Sequence, residues 1–138
     1  MKGKDSILIV EDEPGCREAL NRILQNCYEV SMAADGKEAL EILENKKFHL
    51  ITLDLHMPGL SGLEILPEIR KLAAGTEVII ISGYGTLANA GKALQSGIND
   101  FISKPFVISE ILSTVETALT HKKMKRRIAE VIRQEDAC

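Results

Sequence analysis

Five short runs rich in Val, Ile and Leu alternate with segments whose apolar residues recur every three or four positions. That alternation leaves few folds open to the chain. The runs are Ser6–Val10, Tyr28–Ala33, Phe48–Leu53, Glu77–Ile81 and Asp100–Ser103. Several are nearly continuous apolar stretches, as expected of strands covered on both faces. The helical windows are Leu20, Ile23, Leu24 and Cys27; Ala39, Leu40, Ile42 and Leu43; Leu63, Leu66, Ile69 and Leu72; Leu87, Ala90 and Leu94; and Ile108, Ile111, Leu112, Val115 and Leu119. Pro14 suits a first helical position. Asp35 with Glu38, and Ser61 with Glu64, have capping-box spacing. Gly75 and Gly97 sit where helices should stop. Pro67 falls inside the third window, where it removes a backbone bond and predicts a kink. Together these signals predict an α/β fold, a parallel sheet with helices on both faces and right-handed crossovers.

A chain of 138 residues defaults to one domain and buries roughly two thirds of its unfolded surface. Its net charge of −3 gives no electrostatic reason to expect nucleic-acid binding. No apolar run approaches the ~20 residues that span a bilayer. Met1 to Asp5 leads straight into a strand-like run and does not read as a signal peptide, so the cytoplasm is the expected compartment. Cys16, Cys27 and Cys138 show no metal-ligand pairing. Cys16 and Cys27 are eleven apart on a predicted helix, on one face with Leu20, Ile23 and Leu24, and are expected in the core. Beyond Leu119 comes a basic run, His121 to Arg127, followed by Ile128 and Val131, which with Met124 keep helical spacing. The expected organisation is a domain over 1–120 and a helical extension or linker over 121–138.

The polar residues mark strand ends. Glu11 and Asp12 follow the first run, Asp54 the third, Ser82 the fourth and Lys104 the fifth. In open parallel sheets, ligands bind beyond the carboxyl ends of the strands where strand order reverses. If the first and third runs are neighbours, three carboxylates converge there. Carboxylates ~4 Å apart repel by ~4 kcal/mol per pair at an effective dielectric of ~20. A fold tolerates that when a cation is held or a proton shared.

In this order and placement the residues resemble the receiver domain of two-component response regulators, over about residues 5–120. Glu11-Asp12 matches the acidic pair of that family. Asp54, with Met57, Pro58 and Gly62 in DLHMPGLSG, matches the phosphoacceptor segment. Ser82 matches its hydroxyl residue, Phe101 its switch aromatic, and Lys104-Pro105 its Lys-Pro step. The stretch SGYGTLANAGKALQSGINDFISKPF further resembles receivers of enhancer-binding transcription regulators.

The resemblance implies a flavodoxin-like, doubly wound five-stranded sheet of order 2-1-3-4-5 with five helices, the last extended. It implies a phosphoacceptor switch rather than an enzyme with an external substrate. Asp54 takes a phosphoryl group from a sensor histidine kinase or phosphotransfer protein. Mg²⁺ (or Mn²⁺) is held by Asp12, Asp54 and the carbonyl of His56, with Glu11 acting through water. Lys104, Ser82 and the amide of Gly83 meet the phosphoryl oxygens. Lys104-Pro105 is expected to be cis. Ser82 and Phe101 act as the switch, and His56 and Tyr84 tune phosphoryl lifetime. The output face, and the route to a homodimer, is the predicted fourth helix with the fifth strand and fifth helix; neither nucleic acid nor membrane is an expected partner of this domain. Two alternatives share the architecture. An aspartyl-phosphate phosphatase of the haloacid-dehalogenase type needs a second Asp where His56 stands. A flavin-binding flavodoxin-like module needs a Ser/Thr/Gly-rich loop where the chain has the acidic EDEPG.

Overall fold

The structure, a computed structural model, describes residues 3–59, 61–83 and 97–136. Its strands are β1 (Ser6–Val10), β2 (Glu29–Ala33), β3 (Leu50–Leu53), β4 (Glu77–Ser82) and β5 (Asp100–Ser103). All pair in parallel, in the order β2-β1-β3-β4-β5. The helices are α1 (Pro14–Leu24), α2 (Gly36–Asn45), α3 (Gly62–Leu72) and α4 (Ile108–Asp136). The described residues thus hold four helices where five were expected. The window carrying Leu87, Ala90 and Leu94 lies outside them, as does Tyr84.

The three central strands carry apolar side chains on both faces, which sorts the helices into two layers. Leu8, Val10, Ile51, Leu53, Val78 and Ile80 pack with Ala39 and Leu43 of α2 and Ile65, Leu66 and Ile69 of α3. Ile7, Ile9, Leu50, Ile79 and Ile81 pack on the other side with Leu20 and Leu24 of α1 and Ile111, Val115 and Leu119 of α4. A near-continuous apolar strand therefore belongs to two cores at once.

The two expected N-caps are in place. The amide of Glu38 donates to Asp35 Oδ1 at 2.8 Å, and that of Glu64 to Ser61 Oγ at 3.2 Å. Pro14 opens α1; α3 is capped by Ala73, two residues before the expected Gly75, and Gly97 has a positive φ of 86°, the helix it is expected to stop lying outside the described residues. α3 continues through Pro67, which stands on its exposed face. There water can take the carbonyl four residues back that loses its amide partner. Cys16 packs at the edge of the α1 and α4 core, but Cys27 is exposed and lies past the end of α1. The expectation of two core cysteines is corrected for Cys27. The helix stops at Leu24, and the Cys27 amide turns back onto the Leu24 carbonyl. No described helix is long and apolar enough to cross a membrane.

Candidate functional site

The chain runs from β1 to β2 on one side and crosses to β3 on the other, so strand order reverses between β1 and β3. Register then decides which side chains meet. Val10 pairs with Leu53, and the Asp54 amide donates to the Val10 carbonyl at 3.1 Å. Glu11 and Asp54 therefore leave the sheet side by side. At the far end of the crevice Ser82 pairs with Ser103, and the Lys104 amide donates to the Ser82 carbonyl at 2.8 Å. Residues 93 positions apart, Glu11 and Lys104, are brought into contact by strand order alone.

Asp54 is the hub. Ser82 Oγ donates to its Oδ1 at 2.8 Å and the His56 amide to the same oxygen at 2.9 Å. Lys104 Nζ donates to Asp54 Oδ2 at 3.0 Å and to Glu11 Oε1 at 2.5 Å. Asp54 is 5% exposed, Glu11 1% and Ser82 not at all. The peptide bond between Lys104 and Pro105 is cis, as expected.

The two buried acids titrate in opposite directions. Burial pushes the Glu11 carboxyl up to about 7, and its contact with Asp54 adds to the rise. Burial also works against an ionised Asp54. Its bonds with Glu11, the His56 amide, Lys104 and Ser82 outweigh that and hold it below the ordinary carboxylate value. Burial opposes the charge on Lys104, yet the two carboxylates keep its ammonium protonated well past its usual range. The site holds an Asp54 carboxylate and a lysine cation beside a Glu11 carboxyl that burial makes reluctant to lose its proton.

The oxygens of Glu11, Asp12 and Asp54 lie within 4.8 Å of one another. Glu11 Oε2 is buried with no hydrogen-bond partner. An all-oxygen set with a buried, unpaired carboxylate oxygen suits a hard divalent cation such as Mg²⁺ or Mn²⁺.

The sequence pattern passes over Arg17 and leaves Gly62 without a physical reason. Arg17 Nη1 donates to the carbonyls of Glu11 at 2.9 Å and Asp12 at 3.2 Å, bracing the acidic turn from α1. One arginine in a helix otherwise reads as solvated. Gly62 belongs to the motif for a steric reason. A Cβ there would stand 2.2 Å from the Asp54 carbonyl oxygen, so α3 starts against the backbone of the site. Phe101 is half-buried against the α2 and α3 core, and the His56 side chain is exposed. The Cys16 thiol, beside Glu11, is pushed up to about 12, first by burial and then by Glu11, and is unreactive at neutral pH.

The family profile described as the response regulator receiver domain matches residues 7–116. The transcriptional regulatory protein YkoG of Bacillus subtilis, whose own role is uncharacterised, is 36% identical over 127 residues, 88% of this chain and 54% of that protein. The chain thus spans about half the length of this curated relative, and of its next relatives. A CheY-like receiver domain protein from Methanospirillum hungatei superimposes with a TM-score of 0.85 at 31% identity, covering 89% of this chain and 99% of that one. NtrX from Brucella abortus gives a TM-score of 0.88 at 33% identity, covering 94% of this chain and 30% of that one.

Proposed function

The chain belongs to the response regulator receiver family, and on that premise we propose that it takes a phosphoryl group on Asp54 from a sensor histidine kinase or phosphotransfer protein and passes the change to a partner or output domain. The observation that carries this reading is the Asp54 carboxylate, buried, ionised and shared by Ser82, the His56 amide and Lys104. It supports a nucleophile held ready rather than a structural ion pair.

An Asp54 oxygen attacks the phosphorus of a phosphoimidazole. A P–O bond forms, the P–N bond breaks, and the departing ring nitrogen keeps the electron pair and is protonated from solvent. Such transfers ask mainly for positioning and for neutralisation of the oxygens in flight. Lys104 is the cation on hand, and it turns from the two carboxylates to the incoming phosphoryl group. Ser82 Oγ exchanges its bond to Asp54 for one to a phosphoryl oxygen, with the Gly83 amide beside it. Asp12, Asp54 and the His56 carbonyl would hold Mg²⁺ (or Mn²⁺), with Glu11 acting through water. When bound, the ion supplies positive charge to the phosphoryl oxygens. Hydrolysis of the acyl phosphate by the same site, its lifetime tuned by His56 and Tyr84, belongs to this reading.

Residues 1–120 are the receiver and 121–138 a helical extension or linker, its helix described to Asp136. Ser82 and Phe101 relay the change to the face of β5 and the start of α4, which serves for partner binding or homodimerisation in the cytoplasm; the rest of the expected output face, residues 84–96, lies outside the described residues. Neither nucleic acid nor a membrane is a partner of this domain. The test is incorporation of label from a small phosphodonor in the presence of Mg²⁺. Asp54→Asn should take up none; full labelling of that variant overturns the site.

A further inference from the structure

The three acids of the site are not held alike. The Glu11 carboxylate meets Lys104, and the Asp54 carboxylate meets Lys104, Ser82 and the His56 amide. The Asp12 carboxylate makes no hydrogen bond or ion pair among the described residues. Yet one of its oxygens lies within 4.8 Å of oxygens of the other two. Its own contacts do not place it there, so the backbone has to.

That backbone has few ties. The Glu11 amide donates to the Ala33 carbonyl at 3.1 Å, where β1 ends. The Glu13 carbonyl accepts from the Arg17 amide at 2.9 Å, where α1 begins. Glu13 caps α1 without a side-chain hydrogen bond, and Pro14 has no amide hydrogen to give. Between the two ties lie the carbonyls of Glu11 and Asp12. Arg17 Nη1 takes both, at 2.9 and 3.2 Å. These carbonyls belong to successive peptide planes that are hinged at the Asp12 α-carbon. Each plane is stiff, and only φ and ψ between them are soft. Tying both planes to one nitrogen restricts both torsions of Asp12, and with them the direction of its Cα–Cβ bond. Arg17 forms no ion pair among the described residues. Its Nη1 is spent on carbonyls, which leaves the neighbouring carboxylates to a cation.

We propose that Arg17 is a positioning residue for the metal site: it holds the peptide planes on either side of Asp12 and so presents that carboxylate to a divalent cation. The inference rests on the reading above, in which Asp12 holds Mg²⁺ (or Mn²⁺) directly. Charge alone would act with the other sign. A guanidinium repels a nearby divalent cation, so an arginine acting only through its charge would bind the ion less well present than absent. Positioning predicts that its removal weakens binding.

Mn²⁺ uptake by the full chain is read from loss of the free ion's electron paramagnetic resonance signal, and Mg²⁺ by competition. Arg17→Ala should bind both about tenfold more weakly, the lower end of what losing an outer support does to a metal site. Arg17→Lys, which keeps a donor on a slightly shorter arm, should fall in between. In an Asp12→Ala background, Arg17→Ala should weaken binding no further. Metal-free Arg17→Ala should keep its circular dichroism and nearly its urea midpoint. Its Asp54 labelling should need more Mg²⁺ for half-saturation and approach the parent's rate at saturation. Equal or tighter binding by Arg17→Ala, or a full loss in the Asp12→Ala background, overturns the role given to Arg17. So does an Arg17→Ala chain that no longer folds without metal, since the arginine would then support the fold at large. A parent that takes up neither ion overturns the metal reading itself, and this inference with it.

Discussion

The interior of β1 and β3 and the residues just past their ends follow opposite rules. Ile7 to Val10 and Leu50, Ile51 and Leu53 are apolar, buried and packed on both sides. One residue further, Glu11 and Asp54 are buried as well but acidic, with Lys104 between them. The interior lowers the free energy of the fold. The end is divided: Asp54 is held ionised by its partners, while Glu11 is buried beside it with a carboxylate oxygen left without a partner. A site whose resting state is uncomfortable in this way favours whatever neutralises it. Substitutions in the interior should therefore destabilise, and those at the edge should remove chemistry at a smaller cost to the fold.

The sharpest contrast is Leu53→Ala against Asp54→Asn, adjacent residues on one strand. Leu53 is fully buried, and its truncation should cost about 2–5 kcal/mol in chemical denaturation, with labelling falling only as the folded fraction falls. Asp54→Asn should stay folded, losing no more than the charge-assisted part of its bonds to Lys104 and Ser82, about 1–2 kcal/mol, and take no label. A marked loss of stability in Asp54→Asn would break the distinction, since the carboxylate would then be part of what holds the sheet together.

Gly62 is where the two regimes touch. In Gly62→Ala the new Cβ would meet the Asp54 carbonyl oxygen and, at 2.8 Å, Leu55 Cα, both backbone atoms. Neither yields as a flexible side chain would, so a cost of about 1–3 kcal/mol is expected. The displaced backbone is the one that aims Asp54, so labelling should also slow in the folded fraction. Normal labelling in a destabilised Gly62→Ala protein would show that the loop absorbs the shift without moving the carboxylate.

A pH series without divalent ions tests the discomfort itself. The native Glu11 carboxyl is raised from an ordinary value of 4.5 to about 7. Between those values the folded protein binds more protons than the unfolded chain, so stability falls as pH rises through that window, by up to about 1.4 kcal/mol per unit. Asp54 contributes the other way. Its lowered value gives stability that is present above the ordinary carboxylate range and lost as pH falls through the native one. Urea midpoints should therefore decline from about pH 4.5 to about 7 in the parent and stay flatter in Glu11→Gln. Adding Mg²⁺ should restore stability at neutral pH, as any ligand of the native state does. An unchanged slope in Glu11→Gln would place the titrating group elsewhere.

Much of this was legible because strand ends in a parallel sheet are also the site. β1 and β5 have the expected bounds, and the acids, hydroxyl and lysine stand where the runs stop. The differences have physical reasons. Phe48 and His49 look strand-like, yet pairing begins at Leu50; Phe48 is buried instead as a core residue before the strand. Cys27 fits a helical period that ends before reaching it, because periodicity carries no mark of a helix stop when no glycine follows. Arg17 bracing two carbonyls, and α3 pressing against the Asp54 backbone at Gly62, are contacts between segments, set by how helices dock rather than by any local pattern.

The smallest expected effect separates reacting from responding. Ser82 Oγ is fully buried and donates to Asp54 Oδ1. In Ser82→Ala that oxygen keeps the His56 amide, and Oδ2 keeps Lys104, so the net loss should be about 1 kcal/mol of stability. Positive charge at the site is unchanged, so labelling from a small phosphodonor should be nearly that of the parent. What the variant lacks is the hydroxyl at the end of β4 that, in the proposed reading, leaves Asp54 for a phosphoryl oxygen. Binding to a partner, or dimerisation through the β5 face, should therefore no longer follow phosphorylation. If labelling collapses instead, the hydroxyl belongs to the transfer itself, and the line drawn here between the residues that accept the group and those that report it has to move one strand inward.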